Sequence, residues 1–219
     1  MASTIKVDTI TTPDGTGNIS VDRPLSGSGA GLTSLPAANL TGALPAISGA
    51  SLTGLSAGAW AVKSSGTFST TTSLDITSVS KTTRIIVDNI ILSSDAGYVA
   101  SLRFSTDNGS SWITSSTYDV FQTFNESVLT NTNRMSLGVG SWGGATNEGF
   151  SGQITIHGPN NTTANTIATW NLLGPNTSGT IKNAVGGGRV QGSNNVNAIQ
   201  LFAYATSFAS GSYTVLELN

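Results

Sequence analysis

The chain has 219 residues, a net charge of −2 and no cysteine, and only 9% of its residues are charged. Without cysteine there is no disulfide, no thiolate metal site and no cysteine nucleophile. Its nine basic residues are spread thinly, which argues against nucleic-acid binding. We expect no membrane insertion, because no apolar run is long enough for a membrane helix, and no secretion through a signal peptide.

The N-terminal region, residues 1–23, alternates apolar and polar side chains. Ile5, Val7 and Ile10 are apolar positions of this pattern, and Pro13-Asp14-Gly15 is a typical turn sequence. The pattern predicts a small β-hairpin or an extended arm.

Residues 24–62 contain no charged side chain, and two related phrases repeat within them, LPAANLTGA and LPAISGASLTGL. Glycine and proline recur too often for a helix, and the apolar spacing fits neither a helix nor a strand. One irregular chain cannot bury these apolar side chains, whereas three chains around a common axis can. We therefore predict a trimeric stalk, with a flexible linker as the alternative. Its core positions are Leu32, Leu35, Leu40, Leu44, Ile47, Leu52 and Leu55.

Residues 63–219 are predicted to form one all-β domain, a β-sandwich of the jelly-roll type. Short segments rich in β-branched and aromatic residues are separated by turns of Asn, Gly, Asp and Ser. The predicted strands are Thr83–Ser93, Tyr98–Ser105, Tyr118–Phe124, Met135–Val139, Phe150–His157, Thr166–Leu172, Val196–Ala205 and Ser212–Leu218.

Residues 105–112, STDNGSSW, match the S-x-D-x-G-x-x-W pattern of the Asp-box, which is found in sialidases and other propeller proteins. Asp107 and Gly109 suit a tight turn in which the carboxylate accepts backbone N–H bonds, with Trp112 folded over it. The pattern occurs once, whereas a propeller repeats it in each blade. We therefore interpret it as a structural hairpin.

No pattern predicts a catalytic, cofactor or metal site. His157 is the only histidine, and no G-x-S-x-G sequence supports a serine triad. Residues 186–189, GGGR, lack the lysine of a phosphate loop, so we expect a surface loop there. Nothing in the sequence brings together two of the carboxylates that could form a glycosidase pair, which are Asp119, Glu126, Glu148 and Glu217.

Trp142 is the one residue that we consider for receptor contact. It lies in the glycine-rich sequence Gly140-Ser-Trp-Gly-Gly144, where a large ring has no evident core position. An exposed ring beside Asn and Ser suits stacking on a sugar or a protein. Burial in the core is the alternative.

Four segments resemble phage virion proteins. STIKVDTI at residues 3–10 resembles the start of virion proteins of marine and cyanobacterial phages, and residues 26–55 resemble the stalk repeats of phage tail fibres and head fibres. Residues 85–112 and 209–218 are similar to C-terminal domains of such proteins. The resemblance implies a homotrimer whose N-terminal arm, including Ile5, Val7 and Ile10, docks to other virion proteins while the β domains face outward.

We therefore expect a virion protein, assembled in the host cytoplasm, that attaches as a homotrimeric fibre or spike to a glycan or protein of the host surface. Attachment would be weak at each site and strengthened by valency. A trimeric capsid decoration (cement) protein is the alternative. A polysaccharide-degrading spike is a third possibility, disfavoured because the chain is short and lacks a long repetitive β-helix. We expect no enzymatic activity and no cofactor.

Overall fold

The structure is a computed structural model that describes Thr12, Thr16 and residues 59–95, 100–122, 127–138, 142–192 and 195–219. The predicted anchor residues and stalk core positions lie outside the described residues. The chain divides after Thr53, and the second unit, Gly54–Asn219, contains all the described strands.

The described part of the chain consists of twelve β-strands joined by turns and loops. It contains no helix with the length and hydropathy needed to cross a membrane. The strands are β1 (Trp60–Thr67), β2 (Ser73–Ile76), β3 (Thr83–Leu92), β4 (Ala100–Ser105), β5 (Tyr118–Gln122), β6 (Ser127–Thr132), β7 (Met135–Ser136), β8 (Phe150–His157), β9 (Ile167–Pro175), β10 (Ile181–Val190), β11 (Ala198–Ala203) and β12 (Phe208–Leu218).

The strands form two antiparallel sheets. The large sheet has the order β1-β12-β3-β8-β9-β10-β5-β6, and the small sheet has the order β2-β11-β4-β7. Buried apolar residues of both sheets join in one core. The all-β prediction is confirmed, and two sheets that share a core make the fold sandwich-like.

Alternating burial explains why these segments form strands of the large sheet. In β9, Ala168, Trp170 and Leu172 are buried, whereas the residues between them are exposed. β3 follows the same rule at Ile85 and Val87. One face of the sheet therefore covers the core while the other faces solvent, as is common for antiparallel sheets.

A β-bulge interrupts this alternation in β3. Val87 pairs with Gly152 and Ile90 pairs with Phe150, so two residues of β3 oppose Ser151 alone. The extra residues, Asp88 and Asn89, are both exposed, and Asn89 has a left-handed φ of 48°. The bulge thus keeps Asp88 on the solvent face and returns Ile90 to the core.

Predicted and observed strands agree best where alternation is strongest. β8 has the predicted bounds, and β3 ends one residue earlier than predicted. β12 begins at Phe208, earlier than the predicted Ser212, and the sequence pattern does not predict β1, β2, β6 or β10. β1 begins at Trp60 and therefore runs across the boundary predicted between Val62 and Lys63.

The expectation of a surface loop at residues 186–189 is wrong, because this segment lies within β10, between β9 and β5. A Cβ atom on Gly186 would lie 2.6 Å from Cζ2 of Trp170, and one on Gly188 would lie 3.1 Å from Sδ of Met135. The glycines thus leave room for core side chains of other strands.

Candidate functional site

The outer face of the large sheet is the face that points away from the core. One row of directly paired residues crosses all eight of its strands, so the face is continuous. In strand order the row is Val62, Leu216, Arg84, Thr155, Thr169, Gly187, Phe121 and Val128.

A broad depression of about 800 Å³ lies on this face, over β3, β8, β9 and β10. We call it the amide depression, because side-chain amides supply most of its polar groups. Its side chains are Ile86, Asp88, Ser151, Gln153, Asn171, Leu173 and Asn183. Polar groups that converge between apolar walls are typical of ligand sites.

Strand register places these side chains in two neighbouring rows. Gln153 is the cross-strand partner of Asn171, and Ile86 pairs with Gln153 on the other side. In the second row, Leu173 pairs with Asn183 on β10. Directly opposed side chains have Cβ atoms about 4.5–5.5 Å apart. The amides of Gln153 and Asn171 can therefore reach one ligand together.

The carboxylate of Asp88 is held in place at the end of the depression. The Ser151 hydroxyl donates to Oδ1 of Asp88 at 3.0 Å and accepts the backbone N–H of Asn89 at 2.8 Å. The bulge and Ser151 together orient the carboxylate. The Ser151 hydroxyl binds Oδ1 and leaves Oδ2 for another donor. Bulges commonly re-aim side chains in this way beside functional sites.

The amide groups of the depression are available to a ligand. Gln153, Asn171 and Asn183 are exposed. Within the described part of the chain, no hydrogen bond engages their side chains. Each amide offers one acceptor oxygen and two donor hydrogens.

A second, smaller depression of about 390 Å³ lies on the same face, over β5, β6, β10 and the start of β9. Phe121, Val128 and Ile167 give it an apolar lining, and Phe121 is 43% exposed. Arg189 borders it and donates to Asp119 at 2.8 Å. This bond, with another from Gln191, holds the pKa of Asp119 below its ordinary range. Asp119 is thus the ion-pair partner of Arg189, whose side chain is 52% exposed.

A cavity of about 410 Å³ lies beside β5, β6 and β7. Its polar side chains mostly bond to the protein itself: Gln122 donates to the Ser136 carbonyl at 2.6 Å, and Arg134 donates to Asn133 at 2.9 Å. The Arg134 guanidinium also lies 3.8 Å from the ring centre of Tyr204. The amide depression has more polar groups available for binding.

The Asp107 turn has the chemistry expected of it. Oδ1 of Asp107 accepts from the Ser105 hydroxyl at 2.6 Å and from the Ser111 backbone N–H at 2.9 Å, and Oδ2 accepts from the Ser111 hydroxyl at 2.6 Å. These bonds, first the one from Ser105, lower the pKa of Asp107 from 3.8 to about 2. Gly109 has a φ of 89°, and the Trp112 ring lies against it. Both carboxylate oxygens are engaged, so the turn is structural.

The interpretation of this segment as a hairpin needs correction. β4, which precedes the turn, belongs to the small sheet, whereas β5, which follows it, belongs to the large sheet. Only a local bond from the Ile113 N–H to the Phe104 carbonyl, at 2.9 Å, resembles hairpin pairing. Residues 106–117 therefore form a corner between the sheets.

The hypothesis of receptor contact at Trp142 is wrong, because this side chain is only 2% exposed. Its ring stacks on Phe150, with centroids 4.8 Å apart and planes at 24°. A bridge to Asn176 and a bond from the Gly143 N–H to the Pro175 carbonyl hold the segment against the end of β9. These contacts fix Trp142 and Gly143 beside β9, with the large ring in the core.

The other candidate side chains are not brought together. Glu217 pairs with Lys63 at 3.1 Å, and Glu148 accepts the Ala145 N–H at 3.0 Å. β12 and β5, which carry Glu217 and Asp119, are separated by four strands, and Glu126 lies outside the described residues. The exposed His157 has only a 3.5 Å contact with the Thr169 hydroxyl. In the described ranges, no group of three metal-binding side chains occurs.

No family model, curated protein or solved structure matches this chain. Only the residues and the geometry of the chain itself therefore bear on its function.

Proposed function

We propose that this chain is a phage virion protein: a homotrimeric fibre or spike that anchors through residues 1–23 and displays its β domain for attachment to the host surface. The uncharged, repetitive segment 24–62 carries the proposal. Its last three residues, Trp60–Val62, already belong to the first strand of the folded domain. The proposal includes a trimeric stalk over residues 24–62 and a jelly-roll topology for the β domain.

The outer face of the large sheet suits such display. Its side chains project from paired strands, which fix the spacing of the backbone. They include amides that have no partner among the described residues, beside apolar groups such as Leu173, which is 52% exposed. Three copies of a weak site on one particle bind far more tightly than one copy.

Trimer formation is the first test, measured as the mass of the full chain in solution by analytical ultracentrifugation. We expect a trimer. Leu52→Asp, placed in the predicted stalk core, is expected to dissociate it, because three carboxylates would meet at the axis. Ser51→Asp is the matched control, since it adds the same charge at the neighbouring polar position. A monomeric wild-type chain, or equal masses for both variants, would overturn the trimeric stalk.

A shortened chain provides a second test of the stalk. It should begin at Ala57 rather than at Lys63, because Trp60–Val62 pair with β12 and the Ala59 carbonyl accepts the Asn219 N–H at 3.0 Å. We expect a folded monomer. A trimer of the shortened chain would place the trimer contacts in the β domain instead.

Localisation on the particle distinguishes the fibre from a capsid decoration protein. Antibodies against the β domain, viewed by electron microscopy of intact virions, are expected to label a projecting fibre or spike. Labelling spread over the whole capsid surface would favour the decoration protein, and no labelling of virions would overturn both.

A further inference from the structure

We propose that the amide depression binds a neutral oligosaccharide. The site would serve the attachment described above, so its biological role rests on the proposed function. Its chemistry rests on four strands, β3, β8, β9 and β10, that bring one carboxylate and three unpaired amides together on the outer face.

Sugar hydroxyls match these groups because each hydroxyl both donates and accepts hydrogen bonds. A side-chain amide can accept from one hydroxyl and donate to the next, so Gln153, Asn171 and Asn183 can each bind a vicinal pair. Oδ2 of Asp88, which has no hydrogen-bond partner among the described residues, adds a strong acceptor. Within the described residues these amides have no competing protein partner.

The spacing favours a chain of sugars over a single small molecule. Gln153 and Asn171 are direct neighbours on β8 and β9, and Asn183 lies on β10, one strand further. An oligosaccharide that runs across the strands would meet a new amide at each strand. Ile86 and Leu173, which are 39% and 52% exposed, offer apolar surface for the C–H faces of its rings.

The charge of the site indicates a neutral ligand. Asp88 is the only charged residue among those that line the depression. An acidic sugar would bring a second negative charge next to Asp88 with no cation to compensate it. A calcium ion is disfavoured too, because calcium affinity depends on the number of charged ligands and Asp88 is the one carboxylate that lines the depression.

The site is also organised before a ligand arrives. Ser151 fixes Asp88, and a Cβ atom on Gly152 would lie 2.1 Å from the carbonyl oxygen of Asn171, so only glycine permits β8 and β9 to approach this closely. A rigid site loses less conformational entropy when it binds.

The test uses the full chain and an array of soluble oligosaccharides, with hexose and N-acetylhexosamine oligomers as neutral probes and hexuronate oligomers as acidic probes. Affinity for each probe is then measured by titration calorimetry. We expect binding to at least one class of neutral oligomer. If no neutral oligomer binds, or if only acidic oligomers bind, the proposal is overturned.

Asn171→Ala is expected to weaken binding of the neutral oligomer about tenfold. Thr169→Ala is the matched control, because Thr169 lies on the same face of β9, one side-chain position away, but outside the depression. Melting temperatures of both variants should equal that of the wild type, since both side chains are exposed. Equal affinities of the two variants would overturn the site.

Asp88→Asn tests the charge. It keeps the shape of the side chain, and we expect it to bind hexuronate oligomers that the wild type rejects. If this variant still does not bind hexuronate oligomers, the charge of Asp88 is not what excludes acidic ligands.

The affinity of one β domain for a soluble oligosaccharide does not depend on trimer formation. The glycan site and the proposed virion function can therefore be tested independently. A chain that binds the oligomer but is absent from virions contradicts the proposed function and keeps the site. A trimeric virion fibre that binds only a host protein keeps the proposed function and overturns the glycan site.

Discussion

The hydroxyl of Tyr118 accepts a hydrogen bond from the backbone N–H of Phe104 at 3.0 Å and thereby connects the two sheets. Tyr118 belongs to β5 of the large sheet, and Phe104 belongs to β4 of the small sheet. The same hydroxyl donates to the Ile113 carbonyl at 3.0 Å. The hydroxyl thus satisfies backbone groups on both sides of the corner that carries the Asp107 turn.

We predict that Tyr118→Phe lowers the free energy of unfolding by about 1–3 kcal/mol, because the buried Phe104 N–H loses its partner. Urea denaturation measures the change. Tyr204→Phe is the control: its ring, on which Arg134 lies, is kept, and its side chain is 40% exposed. Its effect is expected to stay within about 0.5 kcal/mol. Equal stability of Tyr118→Phe and the wild type would show that the hydroxyl bonds do not hold the corner.

Alkaline pH gives an independent check on Tyr118. Burial raises its pKa from 10.0 to about 12. The folded state therefore keeps the phenol proton where the unfolded chain has lost it, and stability falls as the pH rises from 10 to 12. Tyr118→Phe should lack this part of the alkaline loss. An unchanged alkaline transition would contradict the assignment.

Local pattern predicts the strands that have strong alternation, such as β3 and β8, since their apolar side chains alone decide which face is buried. It does not predict β10. Glycine at position 186 leaves room for the Trp170 ring of a neighbouring strand, and this contact cannot be seen in the local sequence. It also misplaces Trp142, whose burial depends on contact with Phe150.

The amide depression has no local signal in the sequence. Asp88, Gln153, Asn171 and Asn183 are far apart along the chain, and each looks like an ordinary solvent-facing residue of a strand. The strand order β3-β8-β9-β10 and its register bring them together. Amide side chains that face each other on adjacent strands would indicate the site. Which residues face each other depends on the strand register, and the register is known only from the fold.

Asp107→Asn is expected to lower stability at neutral pH but not near pH 2. The pKa of Asp107 falls from 3.8 to about 2 in the folded chain, so the charged carboxylate stabilises the fold above pH 3.8. This stabilisation is lost as the pH falls from 3.8 toward 2. Unfolding curves of the wild type and Asp107→Asn at several pH values should therefore converge in acid.

An NMR titration of the Asp107 carboxyl group provides the companion measurement. In Ser105→Ala the largest cause of the lowered pKa is removed, so the pKa of Asp107 should rise toward 3.8. A carboxyl group that titrates at the same pH in this variant would mean that Ser105 does not stabilise its charge.

Trp142→Ala is predicted to lower the free energy of unfolding by about 3–5 kcal/mol, because it leaves a large cavity beside Phe150. Trp142→Phe keeps an aromatic ring for stacking and should cost less. Chemical denaturation measures the free energy of unfolding of the wild type and of the two variants. Oligosaccharide affinity per folded molecule should be unchanged, since Trp142 does not line the amide depression. A Trp142→Ala chain as stable as the wild type would contradict the packing of this ring on Phe150.

Gly186 and Gly187 are adjacent in β10, yet we predict that alanine destabilises the fold at Gly186 and has little effect at Gly187. A Cβ atom on Gly186 would lie 2.6 Å from Cζ2 of Trp170 and 2.5 Å from the Phe121 carbonyl oxygen, whereas the nearest atom to one on Gly187 is 3.3 Å away. Gly186→Ala should therefore destabilise the fold by about 1–3 kcal/mol. Gly187→Ala should stay within about 0.5 kcal/mol of the wild type.

Thermal unfolding of the two variants side by side measures this difference. Both substitutions remove the same backbone freedom from the unfolded chain, so that effect cancels and the clash with Trp170 remains. Trp170 fluorescence should shift in Gly186→Ala alone, because only there must the ring move. Equal stability of the two variants would mean that Gly186 does not face the Trp170 ring, and the register between β9 and β10, on which the amide depression depends, would then be wrong.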